Sequence, residues 1–438
     1  MQLKNKQPQR IGASLAAAAC SLLGTVPGAV QAVEVVDKDW VVDSAVLFYG
    51  EDQGRVQDLS VRAAVTRNIN EDRKWDISLS IDTLTGASPS GAVKTDGVQT
   101  FTRPSGKGSY QIAAGEQPLD DTFHDTRIAV AGSYTIAVGN ASRLQGGLDV
   151  SSEYDYLHAG LNLRWETDFN LKNTTWFAGV AVGSDRITAE GDLPIVFSAM
   201  RPANVAANRS GSQETKTIVD ALVGVSQILS RRALLNVVLG VSNSSGYLTD
   251  PFKILSVVDA TTGRPVASPY DVGFSYYRYE KRPDSRTKES LFAEYRYALD
   301  RDSWAMNYRF MTDDWGISSH TLEAHYHWNL GSHSSLEPQV RYYTQSQADF
   351  YKTLLVNGQV LPEFASSDYR LAKMNSWTVG AKYAWQGNSG REYSVRAAYY
   401  NQRADASAGS NIGVLNNYSE LVPSLSAVVA QFGMKFGF

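Results

Sequence analysis

The run HTLEAHYHW, residues 320–328, places Glu323, His325 and His327 at every second position. In an extended strand such residues share one face, with successive Cα atoms of the set about 7 Å apart. A carboxylate with two imidazoles is a donor set for zinc, copper or iron, provided another strand adds a further strong ligand. His158 is the one other histidine expected on the same side of such a wall. Charged and amide residues of the neighbouring segments share that side: Glu294, Arg296, Asn307, Arg309, Gln339, Arg341, Gln345, Lys382 and Arg396. A polar wall whose opposite charges satisfy one another accounts for all of these without a metal, so no cofactor is expected. The functional reading is that Arg309, Glu323, His325, His327 and Arg341 line a polar path, with a histidine making its charge balance pH-dependent.

A second constellation is MTDDWGISSH, where Asp313, Asp314 and His320 flank one turn. Carboxylates and an imidazole at a rim could activate water, yet Asp-Asp-Trp-Gly is also ordinary turn chemistry. No Gly-x-Ser-x-Gly occurs, and the only cysteine is Cys20, so the chain carries no lipase-type nucleophile elbow. No enzyme is expected.

The elements that must position these residues are strands. In WDISLSIDTL, Trp75, Ile77, Leu79 and Ile81 alternate with Asp76, Ser78, Ser80 and Asp82. LHAGLNLRW repeats the pattern, with Leu157 to Trp165 on one face and His158, Asn162 and Arg164 on the other. Period-two segments of this kind recur at roughly 42–50, 57–68, 74–84, 124–138, 143–153, 156–167, 174–185, 216–229, 233–245, 287–299, 302–313, 318–330, 335–346, 375–386, 391–403 and 425–438. The connections alternate between short (VGNAS, DFNLKN, SRR, DRD, GSHSS) and often long (85–123, 186–215, 246–286, 347–374, 404–424). Trp75, Trp165, Trp176, Trp304, Trp328 and Trp385 all fall at the short-turn end with the parity of the apolar face, as a membrane-interface girdle requires. The pattern predicts an all-β protein, a transmembrane antiparallel β-barrel of about 16 strands with short periplasmic turns and long extracellular loops.

The two ends of the chain fit that reading. Lys4, Lys6 and Arg10 precede an apolar run and small residues up to Ala32, which reads as a secretory signal over 1–32, with one barrel domain over 33–438. Removing the three bases takes the formal charge from −4 to −7, which argues against a nucleic-acid partner. At the other end, QFGMKFGF sets Phe432, Met434, Phe436 and Phe438 on one face. Such a strand closes a barrel with its oily side on lipid. The pattern Gln431, Gly433, Phe436 and Phe438 also resembles the terminal signal by which bacterial assembly machinery recognises barrel substrates.

Several longer runs, LTGASP (84–89), SSEYDYLH (151–158), SSGYLTDPFKILSVVD (244–259), RPDSRTK (282–288), MTDDWGI (311–317), RYYTQSQADFY (341–351) and FASSDYRL (364–371), are distinctive. On them the chain resembles an uncharacterised Gram-negative outer-membrane β-barrel family, domain-of-unknown-function family 3570. The resemblance implies fold and location, supplies no catalytic or binding residue, and hints at envelope redox chemistry with a small lipoprotein or redox partner. The leading expectation is a porin-like channel, or an export or uptake conduit for a small solute in the cell outer membrane. The alternative is a non-conducting barrel that scaffolds an envelope redox or metal-handling complex, and behind it a rim-sited hydrolase. The long loops hold Tyr247, Phe252, Ile254, Leu255 and Val257, enough apolar residues to pack as a constriction or cap.

Overall fold

A computed structural model describes residues 39–70, 73–270, 274–387, 390–404 and 424–438; the expected secretory signal and most of the connection 404–424 lie outside them. The first eight barrel strands are β1 (Trp40–Glu51), β2 (Val56–Asn70), β3 (Arg73–Pro89), β4 (Leu119–Val138), β5 (Ser142–Ser152), β6 (Tyr156–Phe169), β7 (Thr174–Ile187) and β8 (Glu214–Ser230). The second eight are β9 (Ala233–Gly246), β10 (Ser285–Ala298), β11 (Ser303–Asp313), β12 (Ser318–Asn329), β13 (Ser334–Gln345), β14 (Met374–Gln386), β15 (Glu392–Ala404) and β16 (Leu425–Gly437). Each pairs antiparallel with its sequence neighbour, and β16 returns to β1, so the 16 strands form a closed barrel. Closure leaves no strand edge, and hence no unpaired ladder of backbone groups facing lipid.

The seam shows why the chain ends as it does. Ala45 lies opposite Gly433 and Val42 opposite Phe436. Trp40 and Phe438 donate backbone N–H groups to each other's carbonyls at 3.1 and 3.0 Å, and their rings stack at 6.3 Å. Phe432 and Phe438 are 47% and 64% exposed, on the outer face that the alternation predicts.

The same inversion runs round the wall. Ile77, Leu79, Ile81, Leu161, Leu163 and Val180 point outward and are exposed, while Asp82, Arg164 and Asp185 point inward. This is a barrel turned inside out relative to a water-soluble one, with its apolar band suited to hydrocarbon. Trp75, Trp165, Trp176 and Trp328 are each 42% to 52% exposed at the short-turn end, and Trp75 lies 4.7 Å from Tyr134. Amphipathic rings at that height belong at the membrane–water boundary.

At the opposite end the loops fold into a cap. Sequence alternation ended one strand too early and began the next too late: β3 runs to Pro89 and β4 begins at Leu119, and Pro89 pairs with Leu119 beyond a register shift between Gly86 and Ser88. Within the cap, Gln99–Thr102 pairs with Ser109–Ile112, and Leu193–Pro194 with Arg209–Gly211. Ile254–Val258 sits between Tyr277–Tyr279 and Leu354–Val356, so the loop after β9 and the loop after β13 share one small sheet. Phe101, Leu255, Val258 and Tyr277 are almost wholly buried there. The largest buried apolar clusters therefore lie in the loops, because the strands spend their apolar side chains on the outer face.

Candidate functional site

Three sets of polar residues stand out, two placed by different parts of the wall and one by the cap. The first is low in the barrel, on β12 and β13. His325 Nε2 is 2.8 Å from Glu323 Oε1 and its Nδ1 is 3.6 Å from Glu337 Oε1. His327 Nδ1 lies 3.4 Å from Glu337 Oε2. Glu337, which sequence reasoning passed over, is thus the acid that brackets both histidines, and it lies opposite Lys382 in the ladder. Among the described residues no group of three or more His, Cys, Asp or Glu is arranged to hold a metal ion. Each imidazole has a carboxylate partner instead, which is how a charged wall satisfies itself.

The second set is on β5 to β8. His158 Nδ1 is 2.5 Å from Asp185 Oδ1 and its Nε2 2.8 Å from Asp149 Oδ2. Lys216 Nζ joins Asp185 at 2.6 Å, and Tyr156 donates its hydroxyl to the same carboxylate. The wall makes room for this packing with glycine: a Cβ on Gly183 would stand 2.9 Å from the His158 ring, and one on Gly160 2.8 Å from Asp149.

The third set is the cap's own ion network. Arg282 reaches Glu280 at 2.5 Å and Asp368 at 2.9 Å, while Arg370 reaches Asp368 at 2.5 Å and Asp250 at 3.0 Å. Ser366 donates its hydroxyl to Glu280, and Lys253 Nζ donates to the Pro89 carbonyl at 2.5 Å. Burial opposes ionisation of Asp368, but Arg370, Arg282 and Lys253 outweigh it and hold that carboxyl well below the usual range. For Glu280 burial prevails, and its carboxyl is pushed up. These groups tie the loop after β9 to the loop after β13.

Directly under the cap lies a chamber of about 450 Å³, within the range of small-molecule sites. Its roof is Tyr247–Pro251 with Arg282 and Arg370, and its walls come from inward positions of β6 to β13. Trp315 closes one side; its indole N–H donates to the Ser285 carbonyl at 2.7 Å and its ring meets Phe350 edge-on at 5.0 Å. Eight basic side chains line the chamber against two acidic ones, Asp220 and Asp250.

The structure divides the residues anticipated as one lumen cluster. Arg309 and Arg341 line the chamber; His325 and His327 do not. Glu323 stands between, opposite Arg341 in the ladder and bonded to His325. The rim constellation also separates. Asp313 turns inward to Arg286 and accepts from the backbone N–H groups of Trp315 and Ile317. His320 sits on the outer face, where its Nδ1 is 2.8 Å from the Tyr308 hydroxyl. Side chains on opposite sides of a sheet share no substrate, so the hydrolase expectation loses its geometry.

A closed antiparallel wall, apolar outside and charged within, with folded loops over one mouth, defines a transmembrane β-barrel of the outer-membrane type. The chain belongs to the family described as protein of unknown function (DUF3570), whose model matches residues 12–436. No curated protein matches the chain. Among solved structures it is similar to the siderophore receptor PirA from Acinetobacter baumannii, at 10% identity and TM-score 0.41 over 83% of this chain and 53% of that one. CdiB from Acinetobacter baumannii matches at 8% identity and TM-score 0.46, over 91% and 60% of the two chains. A bacterial polysaccharide outer membrane secretin matches at 10% identity and TM-score 0.43, over 92% and 99%. The chain thus spans little more than half the length of the first two.

Proposed function

We propose that this barrel is a gated conduit for a small solute across the outer membrane, exported through a cleaved signal and closed at rest by its own loops. The observation that carries the reading is the chamber: an inward-facing cavity lined by charged and apolar side chains, placed beneath a cap that is held by loop–loop contacts. A purely structural barrel has no need to keep such a space open under its lid. The partners this reading requires are lipid and the barrel-assembly machinery, with no nucleic acid and no cofactor.

The cap's burial supports a second reading, a non-conducting barrel that scaffolds an envelope complex with a lipoprotein or redox partner. Glu280 and Asp368 are 0% and 1% exposed, unusually deep for charges in a mobile gate. Conductance of the purified protein in a planar bilayer separates the two. The conduit reading expects a mostly closed intact barrel and steady openings when residues 247–281 are deleted. A deletion variant that folds and stays silent favours the scaffold.

A further inference from the structure

Five of the chamber's eight basic groups are occupied by carboxylates: Arg282 and Arg370 by Asp368, Arg286 by Asp313, Lys216 by Asp185, and Arg164 by Glu166. The other three, Lys288, Arg309 and Arg341, have no carboxylate within ion-pair distance among the described residues, but Lys288 stands in the field of Asp220 and Asp313. Arg309 and Arg341, on β11 and β13, face each other across β12, Arg309 opposite Thr321 and Arg341 opposite Glu323. Glu323 bonds His325 through one oxygen and is the one carboxylate in the field of both arginines, so the pair keeps an excess of positive charge. Arg309 lies over the Phe292 ring at 5.4 Å, which fixes its plane and leaves its N–H groups for something else. Beside these cations the lining turns apolar, with Ile218, Leu222 and Val238 facing the same space.

We propose that the chamber binds a small amphipathic organic anion, with its carboxylate held by Arg309 and Arg341 and its apolar body against Ile218, Leu222 and Val238. The two halves of the lining select together. A neutral apolar solute would leave the two guanidiniums under the cap with Glu323 as their shared counter-charge, which is costly in a poorly solvated space. An inorganic anion would satisfy the charges and leave the apolar wall against water. A carboxylate on a hydrocarbon or aromatic body meets both, through charge-assisted hydrogen bonds at one end and area burial at the other. The site names the solute class of the conduit reading and rests on it for its role, while binding is measured without transport.

The test is calorimetric titration of the full protein in zwitterionic lipid nanodiscs with 4-phenylbutyrate, its neutral amide 4-phenylbutyramide, and inorganic phosphate. The acid should bind about tenfold or more tightly than either comparator, as expected for charge-assisted contacts. Arg309→Met with Arg341→Met should weaken the acid by about tenfold or more, and Leu222→Ser should weaken the acid while leaving phosphate unchanged. Equal binding of acid and amide, or a folded double variant that binds like the parent, overturns the site. Should the double variant fail to fold, Arg309→Met alone carries the same expectation, and unchanged affinity there overturns it equally. Binding of the acid without flux in liposomes that hold the folded 247–281 deletion variant sinks the conduit and leaves the site standing; flux of the acid without saturable binding sinks the site.

Discussion

The wall and the cap of this barrel are held by opposite means. In the wall each strand touches only its sequence neighbours, apart from the seam between β1 and β16, and the apolar side chains face outward to lipid. In the cap, residues more than a hundred positions apart meet at one carboxylate-and-guanidinium knot, and apolar side chains face inward to small private cores. The wall's stability comes chiefly from a hydrogen-bond ladder without an edge. The cap's comes from its apolar clusters and from a few buried charges, each of which leaves its partners stranded when removed. On the conduit reading the lid must open while the wall does not.

The sharpest break in the comparison is at the seam. Phe438→Asp, or deletion of Phe438, should deplete the heat-modifiable folded form in outer membranes several-fold or more, because β16 then loses its stack on Trp40 and its lipid contact. Normal folded levels would show that the last strand does not govern assembly. Next is the knot. Arg282→Met strands Glu280 and Asp368, for which removal of a buried partner costs about 3–5 kcal/mol. The cap should then be cut by external protease within 247–284 while the barrel remains heat-modifiable. A cap that stays resistant would mean the apolar clusters alone hold it.

Smaller effects follow from pH. In the β5–β6 connection, burial pushes the carboxyls of Glu153 and Asp155 up to about 8, with Asp125 adding to both. Both groups bind protons more tightly folded than unfolded. Their contribution is complete below the ordinary carboxylate range and is lost as pH rises through about 8. The Asp155 carbonyl accepts from Thr188 N–H at 2.7 Å, so amide exchange at 188 and its neighbours, divided by the intrinsic base-catalysed rate, should quicken as the pH rises toward 8 and level off above it. Asp155→Asn should flatten that rise, and an unchanged profile would remove the group from the account. The weakest expected effect lies low in the lumen. His325→Ala with Glu323→Gln removes a self-satisfied pair, and the conduit reading expects altered ion selectivity, or altered pH dependence of selectivity, at an unchanged folded amount. The outward Tyr326→Phe should do neither. A double variant that fails to fold would make the pair structural, and one that conducts like the parent at every pH would place the passage elsewhere.

Much of this was legible without a structure, and for one reason. Alternation is local: Trp75, Ile77, Leu79 and Ile81 announce their face from positions two apart, and the pleat that separates inside from outside has that same period. The sixteen strands, the seam strand QFGMKFGF and the tryptophan girdle all follow from it. Glu337 is the instructive omission in the wall. It was on an inward position of a strand already recognised, and asking which acid stands within two ladder steps of His325 would have found it. The cap was legible only as composition. RPDSRTK and FASSDYRL advertise charge, but nothing within either run says that Arg282 and Asp368 meet.

Sequence alone therefore settled which residues face lipid and which face the lumen, since a strand's side-chain direction is decided by its immediate neighbours. What only the tertiary structure decided is which inward charges are spent and which are free. Arg286 falls just before the strand that alternation predicts and Arg309 within the next one; the structure pairs the first with Asp313 and gives the second no described carboxylate within ion-pair distance. That distinction depends on strand register and on where a loop from elsewhere lays its carboxylate. Both are contacts across the fold, and local alternation carries no record of them.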